Sequence, residues 1–452
     1  MKKRRPGNWL PEDTSHLAVY ARSVHEKSKK SPKKLVPPIK EFRKLVRENP
    51  ALKKGFKDMF REAAKLKRKT PLKEPEVKNF KTFLKLLNTI MTQAPQYTEF
   101  VDKGKEEPCG LIGFPINALL NWPMATPSGY AMFSNQLVNQ QLKKILSFWS
   151  EYLQSEGSRD VLVEEDLDAV PKVIGWLSKT ARKEMVEVAC QGFKGKEKKA
   201  CEKKEFHEIF RCDPSDRYYG FKSWDDFFTR EFQPGVRPVA SPKDDDVIAN
   251  ACESAPLKHV SGVKKSNRFW LKKQPYSLSD MMNFDPLSES FDGGTVYQAF
   301  LSALSYHRWH SPVSGVVKKA FVVNGSYYLE NRHEGFMHHD AGKADSSAPN
   351  DSQAFLTAVA TRAVIFIEAD NPKIGLMCFI AVGMAEVSSC EITVSAGDKL
   401  KKGDPLGMFH FGGSTHCLIF RKETKLKFHL HGHKPGLKAE NIPVRARIAN
   451  VL

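Results

Sequence analysis

Apolar positions in the first half of the chain recur at helical spacing. Ile39 and Phe42 begin a series in which every third or fourth residue is apolar, the pattern of a helix with one buried face. The same period predicts helices over residues 79–94 and 134–154. We therefore predict a mainly helical region over residues 37–240.

The pattern changes after Arg237–Pro238. Short runs rich in β-branched residues follow, bounded by Gly, Pro, Asn and Asp, and Ala363–Ile367 and Leu376–Val382 are two of them. Such runs are typical of strands. We predict an α+β fold, in which the helical region is followed by a β-rich domain over residues 241–452. Residues 333–353 are polar and aperiodic, which predicts a long loop that is functional or disordered.

Charge is concentrated at the start of the chain. The formal net charge is +19, and residues 1–70 hold 22 Lys and Arg against 7 Asp and Glu, a net of +15. Residues 1–36 combine this charge with Pro, Ser and no period, which predicts a basic disordered tail. Such a segment binds anionic lipid or nucleic acid, or is simply solvated. Lys27–Lys34 has no aromatic residue for base stacking. We expect no nucleic-acid partner, and a weak membrane contact through residues 1–70 stays open.

Apolar runs and cysteines narrow the class of protein. No run approaches the roughly 18 to 20 apolar residues of a membrane span, and no apolar segment follows the charged start as in a secretory signal. The eight cysteines form no CxxC, and no Cys/His set has zinc-finger spacing. His307 and His310 share a metal-compatible spacing but lack a third ligand. We predict a cytoplasmic protein with free thiols and no metal.

Three short segments carry candidate chemistry. They are Phe411–Thr415 (FGGST), Tyr306–Gly315 (YHRWHSPVSG) and Asn250–Ser254 (NACES). Singly, each has an ordinary explanation: Gly-Gly-Ser is typical of a turn, and Cys-Glu fits a strand end. Their combination and order are more specific than any one of them.

Together, these segments resemble the phosphatidylserine decarboxylase superfamily. Its members carry a Gly-Ser-Thr self-cleavage motif near the C-terminus, a Tyr-His-x-x-His-x-Pro-x-x-Gly segment upstream, and an acidic residue at a strand end before that. Here Gly413–Thr415, Tyr306–Gly315 and Glu253 match. Two motifs depart from the usual pattern, because Glu253–Ser254 stands where Asp-Gly is usual and Gly412 stands where Leu is usual. Both departures are similar to a soluble fungal branch acting on aromatic amino acids, which includes L-tryptophan decarboxylases.

The resemblance implies self-cleavage between Gly413 and Ser414. Ser414 would attack the carbonyl of Gly413, with His310 as the general base and Glu253 holding the imidazole in its tautomer. The product would be a pyruvoyl group at position 414, the covalent cofactor. The long and short chains of the precursor would stay associated, the short one comprising the 39 residues 414–452.

The implied reaction is a pyruvoyl-dependent decarboxylation. The pyruvoyl carbonyl would form a Schiff base with the amine of a small amino-acid substrate and accept the electrons released with CO2. His310 would reprotonate the product. His307 would contact the substrate or make a structural hydrogen bond.

L-tryptophan is the expected substrate and tryptamine the product, with tyrosine and phenylalanine as further options. One alternative is a phosphatidylserine decarboxylase making phosphatidylethanolamine, docked on lipid through its basic front. A second is a non-maturing lipoyl-like binding module, because the turns of Gly397–Gly407 resemble those of carrier domains. A pyridoxal phosphate enzyme would need a lysine in a phosphate-binding context, which the sequence lacks.

Overall fold

A computed structural model gives the arrangement of most of the chain. The described residues are 15–30, 34–67, 77–99, 113–164, 166–167, 172–266, 276–331, 352–386 and 390–452. The predicted loop 333–353 therefore lies outside them, except for its end at Ser352 and Gln353.

Helices dominate the first half, as the apolar period predicts. Side chains cap several of them: Asn79 accepts from the backbone N–H of Thr82, and Asn135 accepts from that of Val138. The predicted helices over 79–94 and 134–154 are confirmed as the fourth and seventh helices. The described α-helices are α1 Ser15–Lys30, α2 Pro37–Glu48, α3 Pro50–Lys67, α4 Phe80–Ile90, α5 Pro115–Met124, α6 Pro127–Phe133, α7 Gln136–Leu153, α8 Lys179–Ala189, α9 Gly195–Cys201, α10 Phe206–Ile209, α11 Trp224–Phe228, α12 Leu278–Met281 and α13 Gln353–Val359.

Helix α1 corrects the prediction of a disordered tail over residues 1–36. Ser15–Lys30 is helical, and its Leu17, Ala21 and Val24 are buried in the hydrophobic core. These three residues follow at intervals of four and three, so one narrow apolar stripe suffices to dock the helix. The surrounding lysines and arginines hid that stripe in the sequence. Residues 1–14 and 31–33 lie outside the described part.

The predicted β-rich second half is confirmed, and with it the α+β class. Its centre is a seven-stranded antiparallel sheet of order β12-β8-β9-β10-β14-β6-β5. Two three-stranded sheets, β11-β13-β7 and β15-β16-β4, accompany it, and β1-β3-β2 lies in the helical half. The strands are β1 Tyr97–Glu99, β2 Asp166–Leu167, β3 Lys172–Ile174, β4 Val247–Ala249, β5 Ala255–Val263, β6 Gly294–Leu301, β7 Arg308–His310, β8 Gly315–Val323, β9 Arg362–Ala369, β10 Leu376–Met384, β11 Cys390–Ile392, β12 Lys399–Leu400, β13 Pro405–Phe409, β14 Gly413–Phe420, β15 Leu426–Phe428 and β16 Arg447–Val451.

The seven-stranded sheet separates two hydrophobic cores. One face, which carries Cys417 and Ile419 of β14, packs in the same core as the helices. The other face, which carries Leu418 and Phe420, packs in a core with residues of the two smaller sheets. All nine residues of β10 are buried because both of its faces are covered. Alternate residues of β14 therefore point into different cores.

The cysteines correct the prediction that all thiols are free. Cys190, just after α8, forms a disulfide with Cys201 at the end of α9, and their Cα atoms are 5.7 Å apart. That distance is ordinary for a disulfide. The charged stretch between them forms a short helix that returns the chain to Cys190. Sequence spacing did not indicate this pair. The lysine-rich segment between the cysteines shows no apolar period, so the short helix that brings them together was not predicted. The five other described cysteines are free thiols.

Candidate active site

Ser414 lies near the start of β14, in the middle of the large sheet. Its backbone pairs with Gly383 on β10 and with Leu301 on β6. Gly412 has φ of +128°, a backbone conformation that favours glycine, so the turn into the strand needs this residue. The Ser414 side chain is 1% exposed, and its Oγ has no hydrogen-bond partner among the described residues. Leaving a buried hydroxyl unpaired costs about 1–3 kcal/mol. Ser414 Oγ is one of several buried polar atoms without a hydrogen-bond partner in the described part of the chain.

The turn before Ser414 is fixed by aromatic packing. Phe411 meets the ring of Trp149 on α7 edge-on at 5.3 Å between centroids, and the ring of Trp224 on α11 at 4.6 Å. Phe228 of α11 lies 5.7 Å from Phe411 and stacks on His307 at 4.0 Å. The helical half thus holds the segment that would be cut.

His307 is fully buried beside this aromatic cluster. Burial, together with the nearby positive charge of Arg230, holds the pKa of His307 well below its usual value. The imidazole is therefore neutral at pH 7. Stacking on Phe228 supports a structural role at least as well as the predicted contact with substrate.

His310 lies at the end of β7, and each of its ring nitrogens has a partner. Its Nε2 lies 2.9 Å from the Tyr306 hydroxyl, and its Nδ1 lies 3.0 Å from the Gly403 carbonyl and 3.1 Å from Nη2 of Arg445. Burial and the charge of Arg445 lower the pKa of His310 to about 3. A neutral imidazole suits a proton acceptor better than the acid that would reprotonate a product.

Glu253 is buried and already paired. Its carboxylate accepts two hydrogen bonds from Arg237, at 2.6 and 2.9 Å, and one from the backbone N–H of Val444 at 2.8 Å. The predicted Glu253–His310 hydrogen bond is not formed, because Arg237 and Val444 occupy the carboxylate while Gly403 and Tyr306 orient the imidazole. The structure places the backbones of the two segments together, since the N–H of His310 donates to Ala251.

Among the described residues, Ser414, His310 and Glu253 therefore form no hydrogen-bonded triad. Their catalytic roles stay predictions. The structure places Ser414 in one location, and His310 and Glu253 in another. Ser414 faces the core between the sheets. His310 and the Glu253 partner Arg237 line a cavity open to solvent.

That cavity has a volume of about 370 Å³ and is lined by charged, polar and aromatic side chains. Arg211 and Arg308 approach Glu231 on its wall, at 2.6 and 3.6 Å. Ser414 is not among the lining residues. The lining consists of Arg211, Glu231, Phe232, Gln233, Pro234, Gly235, Arg237, Tyr306, Arg308, His310, Thr393, Pro405, Gly407, Met408, Val444 and Arg445.

His416 is a buried histidine near Ser414 that the sequence analysis did not single out. It is fully buried on the same face of β14 as Ser414, and its Nε2 lies 3.0 Å from the Ser254 hydroxyl. Burial lowers the pKa of His416 to about 3. The signal was available: once Ser-Thr-His is read as a strand, its first and third residues share a face.

Metal binding and membrane spanning find no support in the described part of the chain. No group of three or more His, Cys, Asp or Glu side chains there is arranged to hold a metal ion. None of the helices described is both long and apolar enough to cross a membrane.

Comparisons with known proteins match both halves of the chain. A family model described as phosphatidylserine decarboxylase matches residues 36–185, and a second with the same description matches residues 224–440. "Decarboxylase iboD" of Amanita muscaria is 40% identical over 349 residues, covering 76% of this chain and 94% of that protein. "L-tryptophan decarboxylase" of Psilocybe cubensis is 32% identical over 413 residues, covering 89% and 84%. "Phosphatidylserine decarboxylase proenzyme 3" of Schizosaccharomyces pombe is 28% identical over 201 residues, covering 44% and 19%.

Proposed function

The chain is a decarboxylase that belongs to the phosphatidylserine decarboxylase family, and we propose that it cuts itself at Gly413–Ser414 and then converts L-tryptophan to tryptamine. The observation that carries the proposal is the Ser414 hydroxyl, which is buried, has no partner among the described residues and directly follows two glycines. A hydroxyl left unpaired in this way fits a group that is consumed in forming a prosthetic group.

Self-cleavage needs no second substrate besides water. Oγ of Ser414 adds to the carbonyl carbon of Gly413, the C–N bond breaks, and the chains are joined by an ester with a free amine at Ser414. Loss of the α proton of residue 414 expels the Gly413 carboxylate and leaves dehydroalanine. Water then displaces ammonia, and a pyruvoyl group remains at the start of residues 414–452.

The pyruvoyl group supplies a carbonyl that withdraws the electrons left behind when CO2 departs. Two neighbouring strands hold that position in the sheet. Strand β14 lies between β10 and β6, so its hydrogen bonds would keep the short chain in the sheet after the cut. Association of the two chains is thus part of the proposal.

The cavity beside His310 is proposed as the place where a small zwitterionic substrate first binds. Because Ser414 does not line it, the substrate would have to pass from this cavity to residue 414 after cleavage. The volume of the cavity lies near the lower end of the range of small-molecule sites. Glu231 is placed to bind an ammonium group, and Arg308 and Arg445 to bind a carboxylate. Phe232 and Tyr306 stack at 4.5 Å and offer an aromatic wall for an indole side chain.

The test is a substrate panel. Purified mature protein is given tryptophan, tyrosine, phenylalanine and phosphatidylserine vesicles, and release of CO2 and amine is measured. Tryptophan should be turned over with the highest kcat/KM. A protein that acts on the vesicles but on none of the amino acids contradicts the substrate assignment. The cytosol is the compartment proposed for this reaction, and co-fractionation with a cytosolic marker tests it.

Phosphatidylserine is the second candidate substrate, and one observation favours it. Helices α2 and α3 expose a run of basic side chains, which include Lys40, Arg43, Lys53, Lys54 and Lys57. Basic residues near an anionic leaflet contribute about 1 kcal/mol each. Lys53→Glu, Lys54→Glu and Lys57→Glu together should weaken vesicle turnover if the lipid is the substrate and leave tryptophan turnover unchanged if it is not. Deleting residues 1–36 is a poorer test, because it also removes α1 from the core.

A further inference from the structure

One covalent bond closes a short loop on the surface of the helical half. Cys190 after α8 is joined to Cys201 at the end of α9, and we call residues 190–201 the disulfide loop. Cys190 is fully buried, whereas Cys201 is 8% exposed and ends a helix whose other side chains mostly face solvent. A reagent in solution therefore reaches the sulfur of Cys201 more readily than that of Cys190.

The disulfide loop packs directly against residues 431–445, near the end of the chain. The backbone N–H of Asn441 donates to the side-chain oxygen of Gln191 at 3.1 Å. Gly192 lies so close to Pro443 that an added Cβ would stand 2.2 Å from the proline ring. A movement of the loop is thus passed to Pro443 by direct contact.

Two lysines of the loop reach the same segment. Lys194 donates to the backbone carbonyl of His431, and Nζ of Lys198 lies 3.4 Å from the carboxylate of Glu440. After the proposed cut, the loop would belong to the long chain and residues 431–445 to the short one. These contacts would therefore join the two chains.

The disulfide loop also supports both groups that pair with Glu253. The carbonyl of Ala189, just before the loop, accepts from Nη2 of Arg237 at 2.7 Å, and the guanidinium lies 5.8 Å from the centre of the Phe193 ring. The backbone N–H of Val444, which donates to Glu253, directly follows the proline that the loop contacts. Loosening the loop would weaken both supports.

These supports belong to the cavity proposed to bind substrate. Arg237, Val444 and Arg445 line it, and Nη2 of Arg445 lies 3.1 Å from Nδ1 of His310. Arg445 has φ of +67°, a strained conformation for a residue with a side chain, so it depends on the surrounding packing. The state of the disulfide therefore bears on the shape of the cavity wall.

The surroundings of Cys201 favour reaction with a thiol. Four lysines and one glutamate lie within three residues of it in the sequence. Nearby positive charge attracts an attacking thiolate and stabilises the thiolate that departs. The cytosol is the compartment proposed for this protein, and disulfides of cytosolic proteins are usually transient and redox-sensing.

We propose that the Cys190–Cys201 disulfide is a site of thiol–disulfide exchange with a dithiol reductant, and that its reduction loosens the cavity wall and weakens substrate binding. The first thiolate of the reductant attacks Sγ of Cys201, the S–S bond breaks, and Cys190 leaves as a thiolate. The second thiolate then attacks the reductant's own sulfur in the mixed disulfide and releases Cys201. Each cysteine takes up one proton, two electrons have passed to the pair, and the reductant has become a disulfide. The effect on substrate rests on the proposed function.

The experiment compares oxidised mature protein with protein reduced by dithiothreitol, which is removed before measurement. Alkylation followed by mass measurement should find two more reactive cysteines after reduction. Amide hydrogen exchange over residues 431–445 should become about tenfold faster, and KM for tryptophan should rise about tenfold with little change in kcat. Exchange in β10 should stay the same, because the reduction acts on the cavity wall and not on the whole fold.

Two serine variants assign the effect to this disulfide. Cys201→Ser should match reduced wild type with and without dithiothreitol. Cys212→Ser, which changes a half-buried free cysteine, is the matched control and should respond to dithiothreitol as wild type does. If Cys201→Ser does not fold, reoxidation of reduced wild type takes its place, and slow exchange over residues 431–445 should return.

The outcomes separate this proposal from the proposed function. If neither state turns over tryptophan, the proposed function fails, while hydrogen exchange over residues 431–445 still decides whether the disulfide holds that segment. An unchanged number of alkylated cysteines would overturn the exchange site. Equal exchange rates over residues 431–445 in the two states, or an equal KM, would overturn its effect on the cavity.

Discussion

The two centres of this protein differ in how completely their polar atoms are paired. Around the cavity, Glu253 is saturated by Arg237 and Val444, and His310 is held on both ring nitrogens. On the inner face of β14, Ser414 and His416 each keep one polar atom without a partner in the described residues. The saturated centre is open to solvent and suited to binding. The unsaturated centre is sealed and suited to a reaction within the chain.

We interpret this difference as a separation between the proposed self-cleavage at Ser414 and the proposed binding of substrate in the cavity. A buried polar atom without a partner destabilises the fold, and a role in chemistry is one explanation for its presence. A saturated ion pair, in contrast, has no capacity left for a proton transfer without breaking a contact. In this structure Glu253 and His310 contact other partners than Ser414, and their predicted roles in self-cleavage stay predictions. Four changes test that separation, in order of decreasing expected effect.

Breaking the Glu253–Arg237 pair should have the largest effect on stability. Arg237→Ala leaves a buried carboxylate with one backbone partner and should lower the free energy of unfolding by about 3–5 kcal/mol. Urea denaturation measures it. Arg211→Ala, which removes an exposed ion pair with Glu231, is the control and should lose less than about 1 kcal/mol. Equal losses in the two variants would mean that Glu253 is not held as described.

Removing the apolar stripe of α1 should come next. Leu17→Ala deletes a fully buried side chain and should destabilise the protein by about 2–4 kcal/mol, while the exposed Arg22→Ala should stay within about 0.5 kcal/mol. Helix α1 lies in the core on the helical side of the sheet, away from the Ser414 face. Cleavage kinetics should therefore match wild type, and a slowed cut would show that the two faces are coupled.

Changing the cavity wall should affect substrate binding and leave maturation alone. Glu231→Gln removes the charge proposed to bind the substrate ammonium and should raise KM for tryptophan about tenfold, equivalent to about 1.4 kcal/mol. Its kcat should change little. Glu423→Gln, at an exposed position, is the control. A fall in kcat with unchanged KM would move Glu231 from binding to chemistry.

The smallest expected effect concerns His410, which precedes the cleavage turn. Burial acts to lower its pKa, but hydrogen bonds to Asp225 and Glu391, at 2.9 and 2.7 Å, outweigh burial and raise the pKa above 6.5. A raised folded-state pKa gives stability that is complete below the unfolded pKa and is lost as pH rises through the folded one. His410→Gln should therefore lose about 1 kcal/mol at pH 6 and less at pH 9. Equal losses at both pH values would contradict this linkage.

The sequence predicted the elements better than it predicted their contacts. Strands at Ala363–Ile367 and Leu376–Val382 and the helices α4 and α7 follow from period and composition, and the structure confirms them. Helix α1 also has apolar residues at helical spacing, but there are only three of them and they are small or medium in size. The many charged residues around them led to the prediction of a disordered tail. The Cys190–Cys201 pair depended on the path of the intervening helix, which spacing alone does not reveal.

The candidate site shows the same limit. The motif located Ser414, and strand alternation would have located His416, because both depend on local geometry. Which group holds Glu253 depends on Arg237, sixteen residues earlier, and on Val444, near the end of the chain. Such long-range pairing is set by the packing of sheets and loops. No spacing rule in a single sequence supplies it.

The most direct test of the central claim is the intact mass of the purified protein. Wild type should give two fragments, and the smaller, residues 414–452, should be lighter than the same peptide beginning with serine by the mass of one ammonia. It should also resist N-terminal sequencing. Ser414→Ala should remain one chain and release no CO2 from tryptophan. A wild-type protein found as one intact, active chain, or an active Ser414→Ala, would contradict the account.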